Sequence, residues 1–294
     1  MPENVSRRMF IKGVGGAAAM IRGAEATTFA RPKKEWKIAA FGKPFQELPY
    51  DEAAAVLAEI GFDGIEATVR GKGQVLPENV KRDLPLLFKA VKGAGLEFTG
   101  MATHIQLADD EYTREILETA AGLGMKRYRM DYFRYSSGKS IMHQVDKFRQ
   151  EAAKLAKLNA EIGIQGLYQN HAGNRLAGAA LWDLDQILGD CDPDHLGVAF
   201  DLRHAKAEVE KNWPVGYRVI RRRIGMYYVK DFLWVEDKAK SVPLGEGIAG
   251  SEFYENLGTP KPVSLHIEYG NHQDPVEAAA GLKKDLAVLR GWLA

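Results

Sequence analysis

Asp51-Glu52-Ala53-Ala54-Ala55-Val56-Leu57-Ala58-Glu59-Ile60-Gly61-Phe62-Asp63-Gly64-Ile65-Glu66-Ala67-Thr68 contains one whole structural unit. The apolar residues of 51–60 recur at helical spacing, which predicts a helix. Gly61 then supplies the left-handed exit that such a helix needs. A short turn, Gly61-Phe62-Asp63, leads into the apolar run 64–68, which reads as a strand. The same pattern extends outward in both directions. Strands are predicted at 37–41, 64–68, 96–101, 127–130, 165–169, 196–201, 226–230 and 263–268. Helices are predicted at 51–60, 78–94, 110–123, 140–162, 182–188, 214–223 and 275–293, with Gly61, Gly95, Gly124, Gly163 and Gly225 as exits. Alternating strands and helices imply a parallel sheet under a cover of helices. Eight such units over residues 36–294 predict a (β/α)8 TIM barrel, a fold that takes ~250 residues. An open doubly wound sheet would carry a glycine-rich phosphate loop. Gly71-Lys72-Gly73 lacks the third glycine and no P-loop is present, so no nucleotide cofactor is expected.

The composition excludes several functions. The chain has 294 residues, 46% hydrophobic and 27% charged, with 40 basic against 39 acidic side chains. A net charge of +1 gives no global reason to bind nucleic acid or an anionic membrane. Cys191 is the only cysteine, which rules out an intramolecular disulfide and a four-cysteine zinc site. It precedes the sixth strand, at the end of the barrel away from ligands, and reads as a small loop residue.

The first residues read as an address. Ser6-Arg7-Arg8-Met9-Phe10-Ile11-Lys12 has the adjacent arginines of a twin-arginine export signal. The weakly apolar run 13–21 is too short to span a bilayer, which takes ~20 residues. Ala24-Glu25-Ala26 is a small-x-small cleavage candidate. The expected organisation is a signal peptide over 1–26, a linker over 27–35 and a barrel over 36–294. Cleavage would remove Arg7, Arg8, Lys12, Arg22, Glu3 and Glu25, leaving 36 basic and 37 acidic residues, or net −1. The expected location is periplasmic or otherwise extracytoplasmic, reached in the folded state through the export machinery. No stable membrane span is expected, and homo-oligomerisation is left open.

Barrel ligands bind at the C-terminal ends of the strands. The polar residues there are Glu66, His104, Arg129, Gln169 with His171, Asp201 with His204, Lys230 with Asp231, and His266 with Glu268. Residues two apart on a strand share a face. Tyr228 therefore lies on the face of Lys230, and His266 on that of Glu268, one layer below it. Each residue has a bland alternative: Glu66, Arg129 and Lys230 could form an internal ion network, and His104 and His204 could cap loops. A purely structural barrel would fill more of these places with Val, Ile or Leu, so the concentration of ionisable groups points to a site.

Residues 36–294 resemble the xylose-isomerase-like TIM-barrel superfamily. The segments that carry the resemblance are Gly61-Phe62-Asp63-Gly64-Ile65-Glu66, Phe200-Asp201-Leu202-Arg203-His204-Ala205, Val229-Lys230-Asp231, Pro243-Leu244-Gly245-Glu246-Gly247 and His266-Ile267-Glu268-Tyr269. The leader, with Val75-Leu76-Pro77-Glu78 and Tyr168-Gln169-Asn170-His171, is similar to an exported sugar phosphate isomerase/epimerase subgroup. The resemblance implies a carbohydrate substrate and a divalent ion, Mn, Mg or Zn, held by Glu, Asp, His and Glu from the fifth to eighth strands. In that arrangement two glutamates move protons beside a carbonyl while the cation stabilises the enediolate.

This chain departs from the pattern at Gln169 and at Tyr228, where Glu and His are expected. The remaining candidate metal set is Gln169, Asp201 and Glu268. Lys230 is the alternative, placing an ammonium where the ion would sit. Three functions follow. One is an isomerase or epimerase with Glu268 as base, Lys230 or His204 as acid, and Glu66, His104, Arg129, His171, Trp234, Glu246 and His266 as substrate contacts. The second is a lyase or dehydratase on an oxidised keto-sugar, which needs one base and one acid. The third is a metal-free, non-catalytic sugar-binding barrel. The superfamily's zinc endonucleases rank lower, because Gln169 replaces a zinc-bridging Glu and the charge lacks a DNA footprint. Arg221-Arg222-Arg223 reads as a solvated helix end. Trp182, Trp213 and Phe232 read as packing residues, and Trp234 as the aromatic that stacks on a sugar.

Overall fold

The computed structural model describes residues 36–294, so the expected signal peptide and linker lie outside the described residues. Eight parallel strands close into a barrel in which each strand pairs with the next and the last returns to the first. They are β1 (Ile38–Phe41), β2 (Gly64–Val69), β3 (Glu97–Thr103), β4 (Arg127–Arg129), β5 (Gln165–Gln169), β6 (Leu196–Asp201), β7 (Ile224–Val229) and β10 (Val263–Leu265). Closure is made by Ile38 opposite Val263 and Ala40 opposite Leu265. The fold is the expected (β/α)8 barrel. Among the described residues no helix is long and apolar enough to cross a membrane.

The covering helices are α1 (Tyr50–Ile60), α2 (Val80–Gly93), α3 (Thr113–Gly122), α4 (Ile141–Ile162), α5 (Trp182–Ile187), α6 (Leu202–Val209), α7 (Trp213–Ile220) and α9 (Pro275–Trp292). A short α8 (Glu252–Glu255) precedes the last strand. The main core lies between sheet and helices, where Leu57, Leu84, Leu87, Leu117, Leu155 and Leu286 are buried. Each such side chain contributes about 1.5–3 kcal/mol relative to exposure. Inside the barrel a smaller apolar cluster, Leu167, Ala199, Met226 and Tyr228, fills the space below the site.

Gly61 closes α1 at φ 102° and Gly163 closes α4 at φ 81°, as expected for left-handed exits. Gly225 is different. It lies inside β7, where a Cβ would meet the Leu167 Cδ2 at 2.7 Å. The preceding helix instead ends in the 3-10 turn Arg221–Arg223. Arg223 in that turn is not a solvated cation, since its guanidinium donates to Asp185 and to the Cys191 and Gly189 carbonyls.

Three features around the mouth differ from the expectation. The eighth strand stops at Leu265, opposite Val229, where its partner β7 ends. His266 to Glu268 are therefore on the loop above the barrel. The seventh strand is followed by an antiparallel hairpin, β8 (Asp231–Val235) and β9 (Lys238–Val242). Its two-residue turn, Glu236 at φ 48° and Asp237 at φ 59°, uses left-handed backbone without glycine, so the usual turn signature is missing. The short helix α6 starts directly from β6, with the Asp201 carboxylate accepting the His204 N–H at its N-terminus.

Candidate active site

Inward-facing side chains from neighbouring strands form a polar layer above the Leu167 cluster. Asp201 pairs in register with Tyr228, and Tyr228 with Ser264. The register shifts between Ile65 and Glu66, an irregularity of the kind that re-aims a side chain beside a site. Glu66 accepts from the Tyr228 hydroxyl, from the Ser264 hydroxyl at 2.6 Å and faces His266 Nε2 at 3.2 Å. Burial alone would raise its pKa. The His266 hydrogen bond and charge, with Arg129 and Ser264, override this and hold it below the usual value. His266 in turn stacks on Phe41, with ring centroids 4.4 Å apart. Glu66 is thus buried a layer beneath any ligand, and it positions His266 rather than touching substrate.

The next layer contains the residues expected to carry chemistry. Arg129 donates to the Tyr132 hydroxyl at 2.6 Å and to Gln169 Oε1 at 3.1 Å, and the Tyr132 hydroxyl also donates to that oxygen. The other end of the same amide, Gln169 Nε2, donates to Asp201 Oδ2 at 2.8 Å. Lys230 Nζ sits 3.3 Å from Asp201 Oδ2 and 2.9 Å from Glu268 Oε1. Burial opposes the Lys230 charge, but Asp201 and Glu268 raise its pKa above the ordinary lysine value. Burial likewise opposes the Glu268 charge, and Lys230 overrides it, bringing this carboxylate down to about 2.

These residues do not fit a divalent ion, which prefers a shell of oxygens. The Gln169 carbonyl is spent on Arg129 and Tyr132, and its NH2 faces Asp201. The Lys230 ammonium lies against both carboxylates of the candidate set. The Tyr228 hydroxyl is given to Glu66. Among the described residues no group of three His, Cys, Asp or Glu is arranged to hold a metal. The set Gln169, Asp201 and Glu268 is therefore a lysine site in this fold, with one fixed ammonium where a cation was expected.

Two histidines stand beside Lys230, with ring centroids 3.7 Å apart. His171 Nδ1 lies 2.8 Å from the Ala172 carbonyl. A carbonyl only accepts, so Nδ1 carries the proton and Nε2 keeps its lone pair. Burial first, then the Lys230 charge, lowers the His171 pKa and keeps the ring neutral. His204 is 2% exposed and lies behind His171, with Nδ1 accepting from Arg203 and Nε2 3.7 Å from Asp201 Oδ2. That separation is beyond hydrogen-bond reach, and the ring does not line the open space.

That space is a cavity of about 270 Å³ whose floor includes Gln169, His171, Lys230, His266 and Glu268. Its opposite wall carries Lys43, Arg70, His104, Asp131 and Arg134, of which only His104 was singled out from sequence. Arg70 directly follows β2 and so sits at a strand end, a signal that could have found it. Asp131, Tyr132 and Arg134 follow the unusually short β4. A second cleft of about 550 Å³ shares Phe41, Lys43 and Glu268 with the first and extends towards Ser241 and Gln273.

Trp234 and Glu246 line neither of these spaces. Trp234 is 43% exposed on β8, packed edge-on to Phe232. Glu246 belongs to a loop organised by Asp231, whose carboxylate accepts the N–H groups of Phe232, Gly245, Gly247 and Ala249. Asp231 is thus spent on the loop. Trp182, expected to pack, is 55% exposed. Asn170 was missed. It is fully buried and clamps β5 to β6 by exchanging two hydrogen bonds with the Asp201 backbone.

The model of the xylose isomerase-like TIM barrel family matches residues 54–292. None of the curated proteins compared matches the chain. Among solved structures, 3-keto-D-glucoside 4-epimerase from E. coli superposes with a TM-score of 0.65 at 19% identity, covering 87% of this chain and 99% of that one. A probable 3-DHS dehydratase from Bacillus anthracis gives 0.68 at 16% identity, covering 86% and 98%. A xylose isomerase-like TIM barrel protein from Mycobacterium smegmatis, in complex with magnesium, gives 0.64 at 15% identity, covering 88% and 98%. At these identities the likeness is one of fold.

Proposed function

The chain belongs to the xylose isomerase-like TIM barrel family, and from that premise we propose that it converts a sugar or keto-sugar by removing a proton next to a carbonyl. The observation that carries this is the Lys230 ammonium, fixed between Asp201 and Glu268 on the floor of an open pocket. A substrate carbonyl set against that ammonium meets a preorganised positive charge where negative charge develops on deprotonation. Glu268 borders the same space and takes the proton. In the resting site its low pKa makes it a weak base. A carbonyl that engages Lys230 loosens the Lys230–Glu268 pair and returns basicity to the carboxylate. In this reading His171, which lines the same cavity and keeps its Nε2 lone pair, relays a proton. Asp201 and Gln169 hold the ammonium in position.

One observation favours elimination as a second outcome of the same chemistry. Gln169 is an amide at the position where the family resemblance implies a second carboxylate, and dehydration of a keto-sugar needs one base and one acid. We also propose that the barrel works outside the cytoplasm, on the strength of the twin-arginine leader. A reporter carrying residues 1–35 that stayed inside cells with a working export system would argue against this.

The test of the reaction is deuterium exchange at carbon in D₂O, followed by NMR over a panel of keto-sugars and sugar acids. Exchange or product formation is expected with the wild-type protein. The Glu268→Gln variant should lose it by about 10²–10⁴-fold, the usual worth of a positioned base. Full activity in that variant would remove Glu268 from the mechanism. Absence of exchange and of product across the panel would favour a sugar-binding barrel.

A further inference from the structure

The wall of the pocket opposite Lys230 holds positive charge with no carboxylate at ion-pair distance. Arg70 is half-buried, and its guanidinium lies over the Phe41 ring at 5.8 Å. Arg134 lies over the Tyr132 ring at 5.8 Å and donates to the Tyr132 carbonyl at 3.1 Å. Among the described residues no ion pair within 4.0 Å joins Lys43, Arg70 or Arg134 to a carboxylate. Asp131 is the one acidic residue of this wall and forms no such pair. Burial, and then the nearby Arg129 charge, disfavour the charged form of Arg70. Glu66, Tyr132 and Asp131 offset part of this without reaching ion-pair distance, and arginine stays charged in proteins, so an entering anion would add the close partner that the wall lacks.

Concave walls of one sign focus the field on a ligand. Both guanidinium groups lie over aromatic rings at 5.8 Å and neither is paired with a carboxylate, and the N–H edge of a guanidinium matches the paired oxygens of a carboxylate or phosphate. The cavity, about 270 Å³, lies just below the ~300–1,000 Å³ range of ligand pockets, which suits a single sugar unit better than a chain.

We propose that the ligand is an anionic sugar, a single unit bearing a carboxylate or phosphate, with its anionic group on Arg70 and Arg134 and Lys43 at the rim. The anion anchors one end of the sugar and the carbonyl end reaches Lys230 across the pocket. This orientation rests on the proton-abstraction reading above, whereas the anion site stands on the wall alone.

The experiment is isothermal titration of the whole protein with glucose, glucuronate, gluconate and glucose 6-phosphate, at low and at physiological salt. At least one anionic ligand is expected to bind roughly 10-fold or more tightly than glucose, the worth of one charge-assisted hydrogen bond. That advantage should shrink with salt. The carboxylate and phosphate arms identify which anion is preferred. Arg134→Gln, at an exposed position, and Arg70→Met should each reduce the preference. Circular dichroism and thermal melting check that both variants fold. Equal affinity for glucose and all anions, no binding by any anion, or a preference that survives the double variant would overturn the proposal. If anions bind selectively but no substrate exchanges deuterium, the ligand class stands and the reaction fails. Exchange on neutral sugars without anion preference gives the reverse.

Discussion

On the β5–β10 side of the mouth, Lys230 is 4% exposed and lies 3.3 Å and 2.9 Å from two carboxylate oxygens. On the β1–β4 side, Arg70 and Arg134 rest on aromatic rings and meet no carboxylate. The two sides carry the same kind of charge in opposite states. The first is closed on itself: Gln169, Asp201, Lys230 and Glu268, joined from β4 by Arg129 and Tyr132, form one continuous chain of hydrogen bonds and ion pairs. Such a network is rigid and costly to interrupt, because each member removed leaves a buried partner unsatisfied. The second is open, and its missing partner has to come from solution. On the proposed reading, the closed side makes and breaks bonds and the open side captures the ligand.

The largest stability effect should come from opening the closed side. Lys230→Met leaves Asp201, which is fully buried, without its cation. A loss of about 3 kcal/mol is expected, at the lower end for a broken buried pair because Gln169 and the His204 N–H still serve Asp201. Urea unfolding measures it. A loss near zero would mean that the ammonium is not integral to the network, and the contrast would disappear.

A smaller effect concerns pH. The Glu268 pKa falls from 4.5 to about 2 on folding, chiefly because Lys230 outweighs the burial that opposes its charge. A depressed carboxylate pKa adds stability that is complete above the unfolded value and is lost as pH falls through the folded one. The stability advantage of the wild type over Glu268→Gln should therefore shrink between pH 4.5 and about 2. Thermal melts of the two proteins across that window provide the comparison. A constant gap would show that Glu268 and Lys230 are not coupled.

The smallest effect belongs to the open side. Arg134→Gln should change stability by no more than about 0.5 kcal/mol, as for an exposed residue without a carboxylate partner. A larger loss in urea unfolding would place Arg134 in the scaffold and remove it from ligand capture.

Much of the scaffold was legible beforehand. The fifth and sixth strands, 165–169 and 196–201, coincide with those observed, because local apolar runs between glycine-marked turns suffice to define them. The hairpin Asp231–Val242 was not, since its Glu236-Asp237 turn lacks the residues that announce one. The last strand was read too long because pairing, not apolar pattern, ends it. In the site, Gln169, His171, Lys230, His266 and Glu268 do meet at one cavity. Arg70, Tyr132 and Arg134 escaped notice because they sit on loops, where periodicity is silent about direction.

The sequence by itself determined the barrel and the crowding of ionisable groups at its strand ends. Both follow from local pattern, the alternation of apolar runs, helices and glycine exits that any closure must respect. Only the tertiary structure decided which charges are matched. Lys230 and Glu268 are 38 residues apart and Glu66 and Tyr228 are 162 apart. Their pairing depends on distances that exist once the barrel has closed, and electrostatic energy depends on distance and burial. The same closure left Arg70 and Arg134 facing open space, a vacancy in charge that no linear reading of the chain contains.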